Sequence, residues 1–146
     1  MITFKEFLSE SFNNPYEWHW ISQFHNHWKA KFTTKDTTIG VEFLQEPNIN
    51  DVWSFIFSDT KAVLPFENTK HFDALRVLST VMNILKDFID YAKPEIVQFS
   101  GTKHSGKAKL YDIMIKKFKQ DFAKYGYEID RRKEDIANVY FHISRI

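Results

Sequence analysis

Hydrophobic and polar positions alternate with a period of two through much of the first half of the chain. In "HWKAKFTT", Trp28, Ala30 and Phe32 alternate with Lys29 and Lys31, and in "TIGVEFLQE" Ile39, Val41 and Phe43 repeat the pattern. Such alternation predicts strands with one face buried, because successive side chains of a strand point to opposite sides of the sheet. The polar "TTKDTT" between them reads as a hairpin connection, and "EPNIND" supplies turn residues ahead of a third strand, "VWSFIFSD". Three antiparallel strands in succession are expected.

The period then changes to that of a helix. Between Phe72 and Ala92, Leu75, Leu78, Val81, Met82, Leu85, Phe88 and Ile89 form one stripe, which Lys93-Pro94 ends. "EIVQF" follows as a strand expected to be buried on both faces. A second long helix spans about Lys107 to Tyr125, with Leu110, Ile113, Met114, Phe118 and Phe122 on one side and Gly126 placed to cap it. "YEIDRR" and "VYFHISRI" close the chain as strands. At the other end, "TFKEFLSESF" spaces Phe4, Phe7, Leu8 and Phe12 as a short amphipathic helix, with Thr3 and Glu6 as a capping box and Asn13-Asn14-Pro15 as its stop. The pattern predicts one α+β domain over 1–146: an N-terminal helix within 1–14, then a mixed or antiparallel central sheet of about six strands with helices on its faces.

Composition sharpens this picture. The 146 residues include 15 Phe, 6 Tyr and 4 Trp against 4 Gly, so an aromatic-rich core is expected, with some rings left over for a contact surface. With no cysteine, disulfides and thiolate metal sites are excluded. No apolar run has the length of a membrane span, and "MITFKEFLSES" lacks the basic-then-apolar layout of a signal peptide, which predicts a cytoplasmic location without membrane contact. The net charge of +1 is unevenly spread: residues 101–133 hold ten Lys/Arg against four Asp/Glu. Lys103, Lys107, Lys109, Lys116, Lys117, Lys119, Arg131 and Arg132 are therefore candidates for binding an anion or a nucleic acid, set against the plainer reading of a solvated helix face.

"FSGTKHSGKAKLY" tests one motif. Gly101, four residues, then Gly106-Lys107 reproduces most of the phosphate-loop pattern G-x-x-x-x-G-K-[ST], and a strand and a helix flank it as that loop requires. Ala108 replaces the hydroxyl that would hold magnesium, and the forty or so residues that follow contain no further strand-helix crossover. The chain is not read as an NTPase.

The element order, together with "AKLYDIMIKKF" and "YGYEI", resembles the Gcn5-related N-acetyltransferase (GNAT) family over about residues 28–146. In that family a glycine-rich turn opening the central helix holds the pyrophosphate of acetyl-CoA. Here the corresponding stretch, "ENTKHFDALRVLSTV", contains no glycine. The resemblance implies a GNAT-like fold, and it implies for Tyr111 the role of general acid toward the departing thiolate if acetyl-CoA is used; otherwise no cofactor is expected and Tyr111 packs at the rim of the core. "RVLSTVMNILKDFI", "VQFSGTKHSGKAKLYD" and "YFHISRI" further resemble small proteins of large tailed bacteriophages that have this fold without the cofactor motif. That likeness implies the cytoplasm of an infected bacterial host, or a virion.

A cluster of Trp18, His19, Trp20, His25, His27 and Trp28 is the remaining constellation. His25 and His27 are expected to share a strand face, which offers two metal ligands that Glu42 or His142 would have to complete. The same cluster also reads as a strand rim or an aromatic interaction patch. The leading functional expectation is a phage-encoded accessory protein that binds a host or viral macromolecule without catalysis. The alternatives are an acetyl-CoA-dependent N-acetyltransferase, nucleic-acid binding through the basic helix, and a minor virion component.

Overall fold

A computed structural model describes residues 14–35, 37–49, 51–59, 71–102, 106–134 and 138–146. Its elements are β1 (Trp18–Phe24), β2 (His27–Thr33), β3 (Thr38–Gln45), β4 (Val52–Asp59), α1 (His71–Ala92), β5 (Ile96–Thr102), α2 (Gly106–Lys124), β6 (Tyr127–Glu134) and β7 (Asn138–Arg145). The strands form one seven-stranded sheet in the order β1-β2-β3-β4-β5-β7-β6. Every neighbouring pair is antiparallel except β4 with β5, which is parallel. The N-terminal helix expected within 1–14 lies outside the described residues apart from Asn14.

The six expected strands all form, and β1 is added to them. Its sequence, "WHWISQF", breaks the period of two at Ile21, the extra residue of a bulge between Trp20 and Ser22. A two-residue turn at His25 and Asn26 joins it to β2.

One face of the sheet is mainly apolar. Cross-strand register puts Trp28 beside Phe43, Phe43 beside Phe55, Val97 beside Ile143 and Phe99 beside Phe141, and all of these are buried. Helix α1 packs on this face through Phe88, whose ring stacks on Phe43 at 4.1 Å and meets Trp53 at 5.0 Å and Trp28 at 5.2 Å. Helix α2 lies on the same face beside α1, tied to it by Lys86 Nζ to Asp121 Oδ2 at 2.8 Å and by Lys86 over the Phe118 ring. Both described helices thus cover one side.

The opposite face carries the alternate residues: Lys29, Glu42, Ser54, Ile56, Gln98, Tyr140 and His142, each half-buried or exposed. Strand β5 is therefore buried on one face only, contrary to the expectation from "EIVQF". Val97 and Phe99 are buried under the helices, whereas Gln98 is half-buried and Ser100 exposed. The apolar run was lengthened by Ile96, which is only half-buried.

Two helix ends explain their own termination. Lys93 adopts a left-handed φ of 47° and donates its N–H to Ile89 O at 3.0 Å before Pro94 blocks continuation. Gly126, with φ 84°, caps α2 as its position implied.

Candidate functional site

The most informative geometry is where β4 and β5 stop pairing. Three rungs join them: Val52 with Ile96, Trp53 with Val97, and Ser54 with Gln98. Below those rungs the junction is tightened by Asp51 O, which accepts the N–H groups of Glu95 at 2.9 Å and Ile96 at 3.1 Å. Left-handed φ values at Asn48 and Asp51 shape the β3–β4 turn that presents this carbonyl, and Asn and Asp tolerate that conformation better than most residues. Above Ser54 and Gln98 the two strands go separate ways. Strand β4 stays paired with β3 up to Asp59, and β5 stays paired with β7 up to Thr102, but no rung connects them among the described residues. A split opens in the sheet.

The split contains a cleft of about 510 Å³, lined on the open face by Ser54, Ile56, Gln98, Ser100, Tyr140 and His142. Its walls are strand edges. Backbone N–H and C=O groups on such an edge have strong hydrogen-bonding needs. At the apex, Ser54 Oγ and Gln98 Nε2 both donate to Glu46 Oε1, the latter at 3.1 Å, and Gln98 Nε2 lies 3.4 Å from Ser54 Oγ. His142 is the cross-strand neighbour of Gln98, and Asp130 that of His142. A row of polar side chains thus crosses the sheet at the last fully paired level.

The sequence candidates are distributed differently. Tyr111 lies on α2, and its side chain is outside the described residues, as are those of Lys107 and Lys109; Lys103 is outside altogether. Lys116, Lys117 and Lys119 are exposed on α2. Arg131 and Arg132 belong to β6, the edge strand, two strands away from the split, and their side chains are outside the described residues. In the phosphate-like loop, β5 does lead to α2, but its neighbours are β4 and the antiparallel β7, so no following parallel strand stands beside it.

The histidine pair is corrected by the hairpin. His25 sits in the two-residue turn and not on a strand, so it does not share a face with His27. Glu42 is near His27 Nε2 at 3.8 Å and Lys29 Nζ at 3.6 Å, while His142 is four strands from β2. No group of three or more metal-ligating side chains occurs among the described residues. The tryptophans do not form an exposed patch. Trp28 is buried, and Trp18 and Trp20 are half-buried in an edge-on ladder leading to it, with Trp20 Nε1–H donating to Asp87 Oδ2 at 2.8 Å. Exposed rings occur instead at Phe24, Tyr91 and Tyr125.

One ionisable group near the closed end is perturbed. Arg145 is held above its ordinary pKa, chiefly by its hydrogen bond with Tyr127, and also donates to Lys93 O. It ties the last strand to the end of α1. No described helix is long and apolar enough to cross a membrane.

Strand order and the single parallel junction define a single-domain α+β protein with a seven-stranded, mostly antiparallel sheet, consistent with the GNAT-like fold expected from the sequence. Over residues 22–141 the chain matches the model of DUF6934, a family of unknown function, and it belongs to that family. No curated protein matches it. Among solved structures it is similar to the N-acetyltransferase PseH of Campylobacter jejuni, with 15% identity over 85% of this chain and 72% of that one, at a TM-score of 0.48. The same enzyme in complex with acetyl coenzyme A gives 16%, 85%, 72% and 0.49. A dodecameric spermidine N-acetyltransferase from Vibrio cholerae gives 13%, 83%, 66% and 0.48. Each of these is a likeness in fold alone.

Proposed function

We propose that this protein acts by binding a macromolecule, with the split between β4 and β5 as a clasp for an extended segment of its partner. The observation that carries the proposal is that pairing ends at Ser54 and Gln98 while both strands continue, leaving two facing edges that a third strand can bridge. Binding without acetyl transfer is favoured by the chain itself, which has no glycine between Gly40 and Gly101 with which to let a pyrophosphate approach the backbone closely. The bacteriophage setting, with a host or viral partner in an infected cell, rests on the sequence likeness described above. Quantitative affinity capture from infected cells tests the reading. A stoichiometric partner should be recovered by the wild type and lost when Ser100→Trp fills the cleft. Equal recovery by both proteins, or no partner at all, would sink it.

A second reading has one observation in its favour. The pantetheine arm of acetyl-CoA also carries strand-like amides, so the same split suits it, with Tyr111 as the expected acid. A thermal-shift titration separates the two. Saturable stabilisation by acetyl-CoA, increasing with ligand concentration as mass action requires, would favour the transferase. No shift would leave the clasp.

A further inference from the structure

We propose that Glu46 makes the apex of the split selective for a basic side chain, so that the clasp takes an extended peptide of four or five residues whose innermost residue is lysine or arginine. This rests on the clasp reading and adds the chemistry of its ligand.

The length comes from the edges. Beyond the last rung, β4 continues through Phe55–Phe57 to Asp59 and β5 from Phe99 to Thr102. At about 3.3 Å per residue, a segment of four or five residues matches the length of these two edges before the strands end.

The charge comes from a comparison of two glutamates on one face. Glu42 has Lys29 Nζ at 3.6 Å and His27 Nε2 at 3.8 Å. Glu46 has no cationic partner among the described residues. Its Oε1 accepts from two neutral donors, Ser54 and Gln98, and those donors line the cleft. No hydrogen bond to Oε2 occurs among the described residues. Neutral donors orient a carboxylate without neutralising it. A half-buried carboxylate fixed in this way attracts a cation more strongly than one free in water, because the surroundings are less polarisable and no side-chain freedom remains to be lost. Glu46 stands behind Ser54 and Gln98, beside Val52, so a ligand with an acidic residue at this depth would face its negative charge across those two side chains and be disfavoured.

The test uses capped pentapeptides, acetylated and amidated so that only side chains carry charge, with valine, threonine and serine randomised at four positions. One pool fixes lysine at either end, and a matching pool fixes glutamate. Fluorescence anisotropy should give the lysine pool an affinity about tenfold to hundredfold higher, the range a charge-assisted contact supplies. Glu46→Gln retains an acceptor for Ser54 and Gln98 and should erase the preference, whereas Glu46→Lys should reverse it. A purely structural role for Glu46 would produce no reversal. Hydrogen exchange at 55–57 and 99–102 distinguishes the two levels of the proposal. Equal protection by both pools would overturn the selectivity and leave the clasp. Protection by neither would overturn the clasp as well, and protection by acetyl-CoA alone would replace it with an acyl-carrier site.

Discussion

The two faces of the sheet are built from the same strands and follow opposite rules. Under the helices most cross-strand pairs are apolar, with polar partners towards the strand ends such as Gln45 opposite Trp53 and Arg145 opposite Tyr127, and rings from four strands meet Phe88 or its neighbours. On the open side, glutamate, serine, glutamine, histidine and lysine alternate with them. Stability resides in the first face, which removes aromatic surface from water. The second is the face on which the proposed clasp relies, where polar groups stay accessible. The division teaches that substitutions on the open face should be tolerated by the fold far better than substitutions under the helices.

Substitutions can break or sharpen that contrast. Phe88→Ala removes the ring shared by Phe43, Trp28 and Trp53 and should cost about 3–5 kcal/mol in chemical denaturation, the range for large-to-small changes in a closed core. Gly126→Ala tests a position belonging to neither face. Nothing lies within 4 Å of an added Cβ there, so the left-handed φ of 84° alone should cost about 1 kcal/mol. Trp20→Phe keeps a ring at the edge of the covered face but removes the donor to Asp87, and a loss of about 0.5–1 kcal/mol is expected. Gln98→Leu on the open face should move the melting midpoint least, within about 0.5 kcal/mol, while weakening the lysine-pool peptides by releasing Glu46 from one of its two donors. If Gln98→Leu proved as damaging as Phe88→Ala, the separation of the faces would be wrong.

Much of the covered face was legible in the sequence because burial on one side imposes a period of two. Strands β2, β3 and β4 are predicted nearly to their ends by Trp28-Ala30-Phe32, Ile39-Val41-Phe43 and Trp53-Phe55-Phe57. Strand β1 was hidden because Ile21 enters as a bulge residue, so the phase set by Trp18 and Trp20 is lost before Phe24. The site was less legible for a different reason. Where two strands cease to pair depends on their relative twist, to which no local pattern corresponds, and Glu46, Ser54 and Gln98 come from three separate segments. A signal did exist in Ser54, Gln98 and Ser100, polar residues at alternate positions of strands that otherwise read as apolar. The histidine pair failed because a two-residue turn needs only His25 and Asn26, and their polarity looks the same in a turn as on a strand rim.

The three-rung junction also implies an order of assembly. Strands β1 to β4 form a meander of near neighbours, and β5, α2, β6 and β7 are likewise close in sequence, whereas Val52 and Ile96 are separated by some forty residues of chain. Contacts across such a loop bear a larger closure entropy and tend to form late, so the two halves should be structured before the seam closes and should part there first when the protein opens. Anything held in the split adds rungs to that seam. A partner would then act as a staple, turning two loosely coupled folding units into one.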